Sequence, residues 1–552
     1  ADLVGVSTVS NTTFEAYKIA ERVRKLGIPV VIGGPHATFE KMETLQYADF
    51  VITGEGEHSM LELIEALEGR RELSSVRGLC YRDKLSNKIV EIPTRPFCSD
   101  INFVPDFSLI RGFKSFYDKP IRFSMAPLQV LTSRGCPYGC RFCSVIKMSG
   151  RKFRFRDVES VVGEIEQVLS KYKRKNIFFV DDNFTANRKR AIELLNLIIK
   201  RKINATFSAQ VRADTGKDEE LLKLMKKSGM HLVQIGLESV NPDTLKFYKK
   251  SQGLQDMKDG LRGFRKYGIK VHGMFVLGSD FDTLDTIDAT VQFAIEQKLV
   301  AIQLLALGPL PGTDLTNDMM KQNRVISRDW SKYDGNHTLI FPKKMKPSEL
   351  QERMFRAYRK FYSLKRTWRY IAKRSGVFAG VNLYGYLSTR YFEFLMKPYL
   401  KFLKIVELGK YENGKLLENI HHEAEEAPLE IPNKLVYRLF GNTMRVFSNS
   451  AFIRLFKGNY SLKPVALKLP SSSSFKKITR FPAMLSKVLR KTKRPVIIDC
   501  SELRSKDKKF WQKLVRAVAP FGERVKILVG KGTYKSFTKF RSEFWKKSVF
   551  YR

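Results

Sequence analysis

Cysteine is scarce in this chain, six in 552 residues, which argues against a secreted fold held together by a disulfide framework. No run of eighteen uncharged apolar residues occurs, so no membrane-spanning helix is expected. No signal peptide opens the sequence, which starts at Ala and reads straight into a strand, ADLVGVSTVS; the start of a first domain is expected upstream of it. Acidic residues are in deficit, 56 against 99 basic, giving a formal charge of +43. The excess is densest at the end, where residues 471–552 carry 23 Lys and Arg and 5 Asp and Glu. No helix-turn-helix, zinc-finger or RNP motif accompanies it, so solvated faces and attraction to a membrane surface are preferred over nucleic-acid binding. At 43% apolar and 12% aromatic the chain is not globally disordered, and its length calls for roughly two to four domains.

What is present is concentrated in Thr132–Gly150, TSRGCPYGCRFCSVIKMSG. Cys136, Cys140 and Cys143 there have the spacing CxxxCxxC, which lets a tight loop turn three thiolates toward one point. Three thiolates on a 4Fe–4S cube leave one iron without a protein ligand, open to a small chelating molecule. Structural zinc and buried, unreactive thiols are the alternatives. Zinc wants four protein ligands, and no further Cys or His follows until His231. Cys80, Cys98 and Cys500 are scattered and read as buried or free thiols, which fits a reduced cytoplasm.

GCPYGCRFC, with Phe142 just before the last cysteine, resembles the signature of the radical S-adenosylmethionine (SAM) superfamily. The resemblance implies that the open iron binds the amino and carboxylate groups of SAM. It further implies reductive cleavage of SAM to a 5′-deoxyadenosyl radical that removes hydrogen from substrate, with a ferredoxin- or flavodoxin-type protein as electron donor.

Residues 1–70 alternate strand and helix, the pattern of a doubly wound parallel sheet that binds ligands beyond its strand ends. Ser7-x-Val9 followed by Gly33-Gly34 resembles the second half of the cobalamin-binding pattern. GGPHATF and TGEGEHSMLELIEAL are similar to the cobalamin domains fused to radical SAM enzymes. That implies cobalamin contacts at Ser7, Val9, Gly33, Gly34, Pro35, His36, Gly54 and Glu55, with His36 a loop residue near the corrin. Residues 71–127 read as a linker carrying a small β-hairpin.

Between 128 and 313 six strand–helix units follow one another, which suggests a partial (β/α)6 barrel with its site at the carboxyl ends of the strands. Asp181-Asp182-Asn183 stands where radical SAM proteins have a Gly-Gly-Glu element. Either Asp181 or Asp182 could accept from the SAM ammonium, and helix capping is the competing reading. The resemblance also implies SAM contacts at Phe142, Gln210, Arg212 and Glu238, and at the adenine-flanking segment Gly273–Gly278. PLPGT, at 309–313, matches the family's closing turn.

Residues 314–410 form a helical extension rich in Phe, Tyr and Arg, which fits packing on the barrel, a lid over an apolar substrate or a membrane-surface contact. An acidic linker, 411–430, leads to a small basic α/β module, 431–552. The fold class expected is therefore α/β, a cobalamin-type domain ahead of a radical SAM barrel with C-terminal extensions. The leading function is cobalamin-dependent methylation of an unactivated carbon in a small or lipid-like substrate, in the cytoplasm with contact to a membrane surface. The nearest rival is cyclisation of the porphyrin-cyclase type. A methylthiotransferase acting on RNA or protein is disfavoured, because residues 1–69 lack cysteines for a second cluster. Retention of all three loop cysteines argues against a non-catalytic basic binding protein.

Overall fold

The computed structural model describes residues 1–83, 85–117, 127–173, 175–372 and 375–407, together with strands at 465–468, 496–500 and 525–529. The chain divides into two compact units, Ala1–Ile431 and Pro432–Arg552.

The first unit opens with a five-stranded sheet in the order β1 (Val4–Ser7), β2 (Val30–Gly33), β3 (Phe50–Ile52), β4 (Leu79–Arg82), β5 (Ile89–Glu91). The first three strands run parallel and the last two antiparallel. Both faces of β2 are buried, as its unbroken apolar run VVI demands. Val30 and Ile32 pack with Tyr17 and Ala20 of the helix Thr13–Arg24, and Val31 with Leu63 of the helix Glu57–Leu67. The hairpin expected within the linker instead completes this sheet as β4 and β5.

The second sheet holds six parallel strands: β6 (Leu128–Val130), then, after a two-stranded ribbon of β7 (Ser133–Arg134) and β8 (Arg154–Phe155), β9 (Asn176–Phe179), β10 (Thr206–Val211), β11 (Met230–Glu238), β12 (Lys270–Leu277) and β13 (Ala301–Ala306). Spatial order follows chain order, β6-β9-β10-β11-β12-β13, the open barrel the six repeats imply. Helices between the strands carry their apolar stripes inward; Val158, Val161, Val162, Ile165 and Val168 are one stripe, started by the Asp157 cap.

An open barrel leaves an end strand with unpaired backbone groups. Here the extension covers it. Tyr362 Oη accepts from the Ile302 N–H (2.9 Å) and donates to the Ile302 carbonyl (3.0 Å), and Tyr358 Oη does the same at Leu304 (2.7 and 3.1 Å). Both tyrosines belong to the helix Pro347–Phe361 and its end, so two phenols stand in for a missing neighbour of β13. Among the described residues no helix is long and apolar enough to cross a membrane.

In the second unit the described strands β14 (Val465–Lys468), β15 (Val496–Cys500) and β16 (Val525–Val529) form a parallel sheet in chain order. β15 and β16 fall in RPVIIDCSEL and RVKILVG, within the basic α/β module expected at 431–552. The acidic linker expected at 411–430 lies outside the described residues.

Candidate active site

The cysteine loop hangs from the carboxyl end of β6, and Asp181, just past β9, anchors its root. The Asp181 carboxylate accepts from the backbone N–H groups of Thr132 (2.7 Å) and Ser133 (3.2 Å) and from their hydroxyls (2.5 and 2.8 Å). Arg190 donates to the Thr132 hydroxyl and carbonyl from the other side. The β7–β8 ribbon closes the loop, with Cys136 N–H donating to the Gly150 carbonyl at 3.2 Å. Gly135 has φ +96°, and a Cβ there would sit 2.5 Å from the Lys152 carbonyl, so the turn into Cys136 requires glycine. Tyr138 lies under the Arg212 guanidinium, 4.0 Å from it. Phe142 meets the buried Tyr248 ring edge-on, centroids 4.9 Å apart, beside Val276 and Leu307.

Burial pushes all three loop thiols up, Cys143 to about 12; the Cys140 charge adds to this at Cys136 and Cys143, while at Cys140 itself the Lys250 ammonium works against it. Thiols held this way release their protons to a strong positive charge such as iron. Among the described residues no three His, Cys, Asp or Glu side chains converge as a single ion would require. The donor set, three sulfurs without a fourth ligand, fits an iron–sulfur cluster with one open iron better than tetrahedral zinc.

Around the loop the other expected SAM residues take different stations. Asp182 makes no side-chain hydrogen bond among the described residues, and burial, then the Asp181 charge, raises its pKa to about 6. Gln210 ends β10 half-buried, its carbonyl accepting from Phe184 N–H at 2.9 Å. Arg212 donates to Asp214 (3.1 Å) and to the Ser251 carbonyl (3.0 Å). Glu238 ends β11 at a register shift with φ +64°, a strained value for a residue with a side chain, and pairs with Lys250 at 2.9 Å. Burial works to lower the Lys250 pKa, but Glu238 and Cys140 hold it above the usual lysine range.

Gly273 and Gly278 are buried. A Cβ on Gly273 would meet Leu299 at 2.6 Å, and one on Gly278 would meet Leu350, so both glycines make room for the core. The strand's other face points into the barrel. Val271, Phe275 and Leu277 pack under the helices, leaving His272 and Met274 on the lumen side, in register with Gln234 and Gly236 of β11. Met274 falls within the adenine-flanking segment singled out from the sequence, whereas His272 and Gln234 were not singled out. The period-two alternation of β11 and β12 contains them, but nothing local says which face is inward. Burial lowers the His272 pKa to about 4, so its imidazole is neutral at physiological pH.

In the first domain Ser7 and Val9 are exposed at the end of β1. Gly34 has φ +96°, and a Cβ would sit 2.7 Å from the Thr8 carbonyl and 2.9 Å from Ser7 Oγ, so the Gly33-Gly34-Pro35 turn closes against the β1 end. Gly54 N–H donates to Thr38 Oγ1 at 3.0 Å. Bare backbone at three strand ends is the floor a large planar ligand needs. Two expected contacts are spent elsewhere. His36 is 1% exposed, with one ring nitrogen 3.2 Å from Tyr17 Oη and the other 3.2 Å from Ser10 Oγ, so its side chain serves the domain core and leaves neither nitrogen for cobalt. Glu55 accepts from Arg154 (2.7 Å), Arg134 (3.2 Å) and Cys98 N–H (3.0 Å). Burial would raise its pKa, but these donors hold it below the usual carboxylate range.

Glu55 thereby fastens the first domain to the root of the cysteine loop. A second fastening lies at the barrel's closing turn. The Phe39 ring fills the space beside Gly312, Trp330 donates to Glu43 at 2.7 Å and touches His36 edge-on, and Arg328 pairs with Glu40 at 2.9 Å.

Two family models match this chain: the radical SAM superfamily over residues 130–294 and the B12 binding domain over residues 1–64. An uncharacterised methyltransferase of Pyrococcus horikoshii is 31% identical, across 65% of this chain and 78% of its own length. Bacteriochlorophyllide d C-12(1)-methyltransferase of Chlorobaculum tepidum is 30% identical, across 65% and 75%. Anaerobic magnesium-protoporphyrin IX monomethyl ester cyclase of Cereibacter sphaeroides is 28% identical, across 68% and 62%. The solved structure of the cobalamin-dependent SAM radical enzyme OxsB, with aqua-cobalamin and SAM bound, shares the fold at a TM-score of 0.54 and 17% identity, covering 82% of this chain and 76% of that one. A radical SAM domain works with a 4Fe–4S cluster and SAM, and a B12-binding domain with cobalamin. The chain is an enzyme of the radical SAM superfamily, in the group whose barrel is preceded by a B12-binding domain.

Proposed function

We propose that this enzyme transfers a methyl group to an unactivated carbon of a small or lipid-like substrate. The observation that carries the reading is the Glu55 bridge, which holds the cobalamin-type domain against the root of the cysteine loop. Methyl transfer needs two cofactor sites facing one substrate carbon, and distance decides whether they cooperate. When bound, the cluster, SAM and cobalamin together supply hydrogen-atom abstraction and a transferable methyl group.

The chain's own residues divide the remaining work. Cys136, Cys140 and Cys143 hold the cluster. Asp182, rather than the fully engaged Asp181, accepts from the SAM ammonium. Arg212 Nη1, which donates to nothing among the described residues, pairs with the SAM carboxylate while the rest of the guanidinium clamps Tyr138 and Ser251. Glu238, positioned by Lys250, takes the ribose hydroxyls. His272, Gln234 and Met274 shape the lumen around the substrate. Ser7, Val9 and the glycine turns seat the corrin. A ferredoxin- or flavodoxin-type protein delivers the electron.

Anaerobically reconstituted protein given methyl-labelled SAM and a lipid extract tests this by mass spectrometry, with Cys140→Ala as the inactive control. A product carrying the labelled methyl is expected. Ring closure without incorporated label would favour the cyclase reading, which the Cereibacter relative suggests.

A further inference from the structure

The helix Gly376–Leu395 has its apolar face turned outward. Its inward face carries Ala379, Asn382, Gly385 and Thr389, all buried, and the missing side chain of Gly385 is the space taken by the Tyr362 ring. Its outward face carries Val377, Tyr391 and Leu395, which at 100° per residue fall on one side and are 71, 53 and 44% exposed. The neighbouring helix Leu364–Ala372 is alike. Thr367 is its one buried residue, while Leu364, Trp368 and Ile371, spaced i, i+4, i+7, are 46, 67 and 48% exposed.

Apolar surface left in water costs about 25 cal/mol per Å², and monomers rarely keep a contiguous patch of it. Charge identifies the cover. Between Leu364 and Lys401 there are eight basic residues and one acidic, Glu393, which is already paired with Arg359 at 2.6 Å. Lys365 and Arg369 are exposed beside Trp368. An anionic bilayer accepts both features, taking aromatic and aliphatic side chains at the boundary of headgroup and acyl chain and cations at the phosphates. A soluble protein partner would have to match the stripe with a groove and the exposed Lys365 and Arg369 with acid, whereas lipid does so without shape. The helix 376–395 packs on the helix that caps β13, and 364–372 packs on 376–395, so anything seated on the pair is joined to the barrel's end strand.

We infer that the helices 364–372 and 376–395 form a seat for an anionic lipid surface, on which the enzyme meets a membrane-resident substrate. The inference deepens the lipid-like reading of the substrate but is measured by binding alone.

The test is co-sedimentation of the full chain with vesicles of phosphatidylcholine and phosphatidylglycerol. Wild type is expected to bind, and the triple variant Leu364→Glu, Trp368→Glu, Val377→Glu to bind about tenfold more weakly with unchanged iron content. The basic residues of 471–552 are intact in that variant, so undiminished binding would assign the attraction to them and overturn the seat. Self-association of wild type, lost in the variant and unaccompanied by vesicle binding, would overturn it in favour of a second copy. If the triple variant fails to take up iron, Lys365→Glu, Arg369→Glu replaces it: weaker vesicle binding supports the seat and unchanged binding sinks it. Vesicle binding lost in the variant, with no labelled product from wild type, would keep the seat and discard methyl transfer.

Discussion

Asp181 and Asp182 are chain neighbours with opposite duties. Asp181 spends four hydrogen bonds on Thr132 and Ser133, whereas the Asp182 carboxylate makes none among the described residues and is the one proposed to accept from SAM. Asp181→Asn is expected to cost about 2–4 kcal/mol, lowering the denaturation midpoint, because buried donors lose a charged acceptor. Asp182→Asn should leave that midpoint in place and weaken SAM binding by titration calorimetry; the reverse pattern would exchange their roles. His36 carries a pH prediction. Its folded pKa of about 4 lies below its ordinary 6.5, so the unfolded chain binds the proton more readily. The stability it contributes is complete above pH 6.5 and is lost as pH falls toward 4, about 2 kcal/mol at pH 5. Thermal midpoints of wild type and His36→Gln measured from pH 7 to 5 should converge. A gap that stays constant would mean that the ring is not held neutral.

At the scale of elements, the barrel was legible because each strand–helix unit is local: six apolar strands and five amphipathic helices declare themselves within about thirty residues each. What stayed hidden is nonlocal. Nothing in RGLCYRD says that it pairs with DFVITG, so the hairpin read as linker although it completes the first sheet. Glu55 read as a ligand contact because its arginine partners lie 79 and 99 residues away in sequence. The phenol cap of β13 was equally invisible, since Tyr358 and Tyr362 look like ordinary stripe residues of a helix. Replacing both by Phe keeps the stripe and removes four hydrogen bonds. A loss of about 2–4 kcal/mol is expected in denaturant titration, with faster amide exchange at Ile302 and Leu304. Unchanged exchange would show that water caps the strand equally well.

On the scale of the whole first unit, the docking of its two domains turns on Glu55, whose carboxylate is paired with Arg134 and with the still more deeply buried Arg154. Glu55→Gln should leave iron content and SAM cleavage intact, since no loop cysteine is touched. The amount of methylated product formed per SAM cleaved should fall about tenfold, because the two cofactor sites lose their alignment. Equal losses of cleavage and methylation would place Glu55 in support of the cluster instead.

The pair of phenols on β13 also governs assembly. A crescent of strands ordinarily invites a stranger's strand to lengthen it, and two copies meeting in that way could zip into a continuous ribbon. Here the invitation is already declined by tyrosines from the same chain. Company at that rim must therefore come through helix faces, and the interior of the crescent is left to its own substrate.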